Sequence, residues 1–131
     1  IGTDGLIKFG YRSQLRKVLQ LTDRAKQAHH IIPWEFSNHE IVQKAAKTND
    51  PFHMNDILNG IPLPTTGHLT GHNLYNDKLN QILTNLNNSN PNMSANQAYN
   101  HILALTNQIK THIKNNPTYN LGQIASLIKY P

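Results

Sequence analysis

Gln27-Ala28-His29-His30-Ile31-Ile32-Pro33 decides how the rest of the chain is read. The paired isoleucines favour a short strand, and Pro33 ends it, because proline brings no N–H to a ladder. Two adjacent histidines offer a metal ligand and a proton acceptor side by side. Neighbours on an ideal strand point to opposite faces. His29 and His30 therefore serve one site only if the strand bends or stops there.

Downstream, Asn59-Gly60 is a turn signal, followed by Ile61 and Leu63, each just before a proline. This predicts a second short strand, kinked at Pro62 and Pro64. Asn59, at its start, is placed to brace the loop by hydrogen-bonding backbone groups. His68 and His72 follow, four residues apart. On one helix such residues share a face, with roughly 5–6 Å between Cβ atoms, so two imidazoles reach one cation. Gly67 and Gly71 flank them and allow close backbone approach. A metal needs a third protein ligand and an open position for water or substrate, and the His29-His30 pair supplies the candidates.

Helical patterns surround these strands. Leu6, Ile7, Phe9, Tyr11, Leu15, Val18 and Leu19 are the apolar positions of the first stretch, whose second half reads as a helix with Arg12, Arg16 and Lys17 on its wet face. Ser37 to Lys47 reads as a short helix, with Ser37 as N-cap and Glu40 completing a capping box. One helical turn is expected over Met54 to Leu58. The next helix lies within His68 to Leu86, with Leu74, Leu79, Ile82, Leu83 and Leu86 facing inward. Ser94 caps a long helix carrying Ala98, Ile102, Leu105, Ile109 and Ile113. A last short helix spans Leu121 to Ile128. The expected fold is α+β and mostly helical, with one small hairpin near the middle. Residues 1–5 read as a linker remnant and 6–131 as one domain.

The bulk composition narrows the partners. Twelve Lys+Arg against seven Asp+Glu give a formal charge of +5, which suits nucleic acid or an acidic inhibitor. There is no cysteine, so thiolate zinc sites and disulfide frameworks are excluded, and any metal is held by His, Asp, Glu or Asn. No apolar run has the length of a membrane span, and no signal peptide stands at the start. The chain begins with Ile1, which reads as a segment cut from a longer protein. No dimer signal stands out, so a monomer is expected.

Taken together, His29-His30, Asn59 and His68-xxx-His72 resemble the HNH nuclease pattern of the ββα-metal superfamily. Ala28 to Pro33, Phe52-His53-Met54-Asn55-Asp56, Asn59 to Pro64, His68 to His72, Asn92-Met93-Ser94 and Ala98-Tyr99 are similar, more closely, to the AHH family. The resemblance covers roughly Lys26 to Lys114. It implies a ββα-metal finger embedded among helices, with its core at about residues 27–86. It implies His29, His68 and His72 as ligands of one divalent ion (Zn, Ni, Mg or Mn), His30 as general base, and Asn59 as the residue that holds the loop and helps orient the base. The roles of His29 and His30 are interchangeable at this level. The resemblance further implies a secreted antibacterial toxin module acting in the target-cell cytoplasm, restrained in the producer by a cognate immunity protein.

The activity expected is hydrolysis of phosphodiester bonds, of DNA before RNA. The alternatives are an RNase of the same fold and a non-catalytic zinc module that binds nucleic acid or protein. Arg24, Lys26 and Lys78 are candidates to steady the transition state. His53 is expected to support the loop or contact substrate, and Asp56 to cap a turn. Trp34 reads as packing. His39, His101 and His112 are expected on solvated helix faces, and Tyr75 and Tyr99 at core edges with a wet hydroxyl.

Overall fold

The structure, a computed structural model, describes residues 5–65 and 70–131. In chain order it places α1 (Gln14–Val18), β1 (Lys26–His30), α2 (Glu40–Ala45), β2 (Gly60–Pro64), α3 (His72–Ser89), α4 (Ala95–Asn115) and α5 (Leu121–Leu127), with 3₁₀ turns at Trp34–Phe36 and Ile57–Asn59. The chain is therefore mostly helical around one antiparallel pair, the α+β arrangement expected from its patterning. Among the described residues no helix is long and apolar enough to cross a membrane.

β1 and β2 pair with His30 opposite Gly60, His29 opposite Ile61 and Lys26 opposite Pro64. The pairing runs unbroken through Pro62 and Pro64. Both strands of a two-stranded sheet are edges, so these prolines can turn their missing donor away from the ladder. β2 buries Ile61 and Leu63 and exposes Pro62 and Pro64, which alternate with them. The strands are not joined by a tight hairpin, because residues 31–59, including α2, lie between them. Strand β1 also sits earlier than the isoleucines suggest. Ile31 and Ile32 fall just past its end, fully buried.

The helices supply the core. α3 buries Tyr75, Leu79, Ile82, Leu83 and Leu86 along one stripe, and α4 buries Ala98, Ile102, Leu105, Ile109 and Ile113. α2 packs on α4, and α3 packs on α5. Leu74 is not part of the α3 stripe but 64% exposed, because it lies one position off that face. The Ser94 cap is present as a full capping box with Gln97, and Asn120 forms another with Gln123 at the start of α5. The cap of α2 differs from expectation. His39 occupies the N-cap, its Nδ1 accepting from Ile41 N at 3.2 Å, while Ser37 Oγ closes the preceding 3₁₀ turn on Trp34 O. His101 is likewise not simply solvated, since its Nδ1 lies 2.6 Å from the Tyr130 hydroxyl.

Gly71 explains how α3 begins. It is the N-cap, at φ 75°, and a Cβ placed there would lie 2.3 Å from Gly122 N and 2.6 Å from Gly122 Cα. Leu121 N also donates to Thr70 O at 3.2 Å. The starts of α3 and α5 thus meet backbone against backbone. The close approach expected beside the histidines is made to α5. A left-handed alanine costs about 1–2 kcal/mol before any clash, and a forced contact adds about 1–3 kcal/mol. Gly71→Ala should therefore lower unfolding free energy by about 2 kcal/mol or more, as read by denaturant titration. An unchanged midpoint would contradict the close approach.

Candidate active site

The site is built where β1 stops. Ile31 N makes one more ladder bond, to Asn59 O at 2.8 Å, and the strand then ends. Asn59 is fully buried. Its Oδ1 accepts from Ile32 N at 2.7 Å, and its Nδ2 donates to Ile32 O at 3.2 Å and to Met54 O at 3.0 Å. One side chain thus satisfies both backbone groups of the residue at which strand geometry is lost. From α3, the Tyr75 hydroxyl donates to Ile31 O at 2.5 Å. Burial pushes that hydroxyl far above the usual tyrosine range, so it stays a donor. Tyr75 is fully enclosed, which corrects the expectation of a wet hydroxyl.

This strand end brings the adjacent histidines together. His29 is 1% exposed and His30 is 7% exposed, yet both line one cleft of about 810 Å³ with His72, Asn76, Glu35 and Arg12. The His29 ring stands edge-on to Tyr75, centroids 5.1 Å apart. The His30 ring is tilted against Trp34 at 5.3 Å, and its Nε2 lies 2.8 Å from Asn55 Oδ1. Burial is the largest influence on His30 and lowers its pKa below the ordinary 6.5; the Asn55 hydrogen bond opposes this, and the charge of Arg12 adds to it. The imidazole is therefore held neutral, the form that accepts a proton.

His72 is the first residue of α3, and its Nδ1 lies 3.3 Å from Asn76 Nδ2, which also donates to Glu35 Oε1. His68 lies outside the described residues. The same-face argument for His68 and His72 requires a continuous helix, and the left-handed backbone at Gly71 interrupts it. Asn59 touches the loop backbone; the amide bonded to His30 is that of Asn55 instead. His53 is off the cleft: its Nδ1 accepts from Asn55 N at 2.9 Å, and its ring stands edge-on to Phe9 at 5.3 Å. Asp56 accepts from Leu58 N, capping the 3₁₀ turn.

Arg24, Lys26 and Lys78 do not line the cleft. Two arginines assigned to a wet helix face do. Arg16 reaches Lys26 O at 2.8 Å and Asp23 O at 2.7 Å, so it ties α1 to the start of β1. Arg12 makes no hydrogen bond or ion pair among the described residues and is near enough for its charge to act on His30. Sequence reasoning also missed Asn55 and Asn76. The only available signals were Asn55 within the FHMND stretch and Asn76 at i+4 from His72.

Imidazoles delivered to one cleft by a strand end and a following helix start form the frame of an HNH-type nuclease. The chain belongs to the AHH family, described as a nuclease family of the HNH/ENDO VII superfamily with conserved AHH, and matches it over residues 16–113. That tripeptide is Ala28-His29-His30. No curated protein and no solved structure matches the chain. A nuclease family implies a nucleic-acid substrate, and nucleases of this superfamily generally use a divalent metal.

Among the described residues no three His, Asp or Glu side chains stand close enough to hold a metal. The donor chemistry nonetheless fits one. His29 and His72 bring two imidazoles to the cleft, and beside them the Oδ1 of Asn76 is buried with no hydrogen-bond partner among the described residues. A buried carbonyl oxygen in that state is costly unless a cation or water completes it.

Two stability measurements test this architecture. Asn59→Ala leaves the buried N–H and C=O of Ile32 and the carbonyl of Met54 without that partner. It should cost about 2–4 kcal/mol in denaturant unfolding; a loss below about 1 kcal/mol would remove Asn59 as the clamp. The second concerns pH. His39, like His30, has its pKa lowered, by burial first and against the pull of Glu40. The unfolded chain then takes up protons first as pH falls below 6.5, so the stabilisation present above 6.5 is lost as pH drops through the folded values. Thermal midpoints of metal-free protein should fall from pH 6.5 to 5.5 and change little from 7.5 to 6.5. A midpoint that rose on acidification would contradict neutral buried imidazoles.

Proposed function

We propose that this domain is a metal-dependent endonuclease that hydrolyses phosphodiester bonds, with DNA its substrate before RNA. The observation that carries the reading is the single cleft shared by His29, His30, His72 and Arg12 at the end of β1. The cations that meet substrate there are guanidinium groups, which suit backbone phosphate and demand no base readout.

His29 and His72 would hold the ion, with His68 as the third ligand that the family resemblance implies, and Asn76 Oδ1 stands beside His72. A divalent ion, when bound, supplies positive charge against the phosphate and the departing 3′ oxygen. His30, kept neutral by burial, accepts a proton from the water that attacks phosphorus. The new P–O bond forms as the bond to the 3′ oxygen breaks. Arg12, which lines the same cleft, neutralises the phosphate. Trp34 packs the His30 ring in place, and Asn59 and Tyr75 keep the strand end from moving.

The basic charge, +5, suits restraint by an acidic immunity protein, and the resemblance to polymorphic toxin modules supports a domain delivered from a larger secreted protein into a target cell. Cleavage of plasmid DNA and of total RNA, each with Mg, Mn, Ni, Zn or EDTA, tests the whole reading. Wild type should cut with a divalent ion and not with EDTA. His30→Ala should lower the rate by about 100-fold or more while keeping bound metal. Arg12→Ala should mainly raise KM, and expression of wild type in a bacterial cytoplasm should arrest growth where His30→Ala does not. Metal retained with no cleavage of either polymer would replace this reading with a structural zinc module. If His30→Ala lost the metal and His29→Ala kept it, the two histidines would exchange roles.

A further inference from the structure

Asn55 is 4% exposed, on the segment between α2 and the Ile57–Asn59 turn. Its Nδ2 donates to Phe9 O at 3.2 Å and to Tyr11 O at 3.0 Å, with Gln14 Oε1 at 3.3 Å. Its Oδ1 lies 2.8 Å from His30 Nε2. A side-chain amide has one donating end and one accepting end, and which is which is settled by the surrounding network. Turned over, Asn55 would set its carbonyl oxygen against two backbone carbonyls and Gln14 Oε1. Gln14 cannot relieve this by turning too, because its Oε1 accepts from Tyr11 N at 3.2 Å. The orientation of Asn55 is therefore forced, and an acceptor faces His30.

An amide oxygen carries no proton, so the hydrogen bond exists only if His30 Nε2 carries one. In a neutral imidazole the other nitrogen then bears the lone pair. Among the described residues nothing is hydrogen-bonded to His30 Nδ1. We propose that Asn55 is the positioning residue of His30, locking the imidazole as the Nε2–H tautomer so that Nδ1 is its basic nitrogen, and tying that orientation to the docked segment Phe9–Gln14. The inference deepens the nuclease reading and rests on His30 being its base. It also gives the N-terminal segment a function. Tyr11 and Arg12 line the cleft, while the carbonyls of Phe9 and Tyr11 hold the amide that orients the base. Substrate-side and base-side geometry thus share one side chain.

The tautomer is measured directly, without metal or substrate, by long-range ¹H–¹⁵N correlation of the imidazoles in the full labelled chain at pH 8, with His30 assigned by its loss in His30→Gln. An Nε2–H pattern is expected. An Nδ1–H pattern, or a signal averaged over both tautomers, would overturn the proposal. Two variants extend the test. In Asn55→Leu, kcat should fall roughly 10- to 100-fold, as when the partner that orients a site imidazole is lost, with KM within about 2-fold of wild type. Asn55→Asp keeps an acceptor toward Nε2 and should retain the Nε2–H pattern, but it sets a second oxygen against the carbonyls of Phe9 and Tyr11 and should lower stability. A folded Asn55→Leu with unchanged kcat would refute the positioning role. Should Asn55→Leu not fold, the wild-type spectrum still decides. A wild type that cleaves nothing but shows the Nε2–H pattern would sink the nuclease reading and leave the hold of Asn55 on His30 standing.

Discussion

The structure depends on one buried amide, that of Asn59, taking over both backbone groups of Ile32. A strand that ends inside a protein leaves an N–H and a C=O that neither ladder nor water satisfies, and each costs about 1–3 kcal/mol if left so. Without a partner for them, β1 would have to run on beside β2 or turn toward solvent. With Asn59 in place it can stop at His30 while Ile31 and Ile32 remain fully buried. Tyr75 makes the same provision one residue earlier, from the finger helix. The strand end is thus pinned from the loop before β2 and from α3, the elements that also carry the other half of the site.

Stopping the strand at that residue resolves a conflict between chemistry and pleat. Two imidazoles at adjacent positions can share one cleft only if they face the same side, yet a continuing strand would send them to opposite faces. At a strand end the alternation no longer binds, and both imidazoles line the same cleft. Burying two imidazoles has its own cost, and it acts in the useful direction. The desolvation that disfavours protonated His30 is what keeps a proton acceptor available.

Much of this was legible in the sequence because it depends on short-range chemistry. The Ser94 cap, most of the α3 stripe and the α4 stripe follow from periodicity and from side chains bonding the nearest backbone. The Ala28-His29-His30 stretch was legible because it is a contiguous motif that the family match covers. What escaped depends on long-range contact. Lys26 to His30 is a weaker strand former than Ile31-Ile32, and only pairing with β2 moves the strand there. Ser37 has the chemistry of a cap, but the 3₁₀ turn takes its hydroxyl and leaves the role to His39. Arg12 carries no local mark distinguishing it from Lys17; the docking of α1 against β1 brings it to the cleft. Asn55 bonds partners at sequence separations of 25 to 46, beyond the reach of any periodicity.

The N-terminal segment shows what that long-range bonding adds. The family match begins at residue 16, so the ββα unit and its histidines lie inside it, whereas Phe9, Tyr11, Arg12 and Gln14 lie before it. Those earlier residues nevertheless complete the environment of His30. Two of their carbonyls orient Asn55, one of their side chains fixes which end of the amide can face the histidine, and one of their cations sits near enough to lower the pKa of His30. Gln43 anchors the same segment at its start, accepting from Ile7 N at 2.8 Å and donating to Ile7 O at 3.1 Å. A finger of two short strands and a helix has little core with which to hold a neutral imidazole in one tautomer. Here the segment that precedes the finger supplies that rigidity through the backbone carbonyls of Phe9 and Tyr11, and the side chains of Gln14 and Arg12 add to it the fixed amide and the charge beside His30.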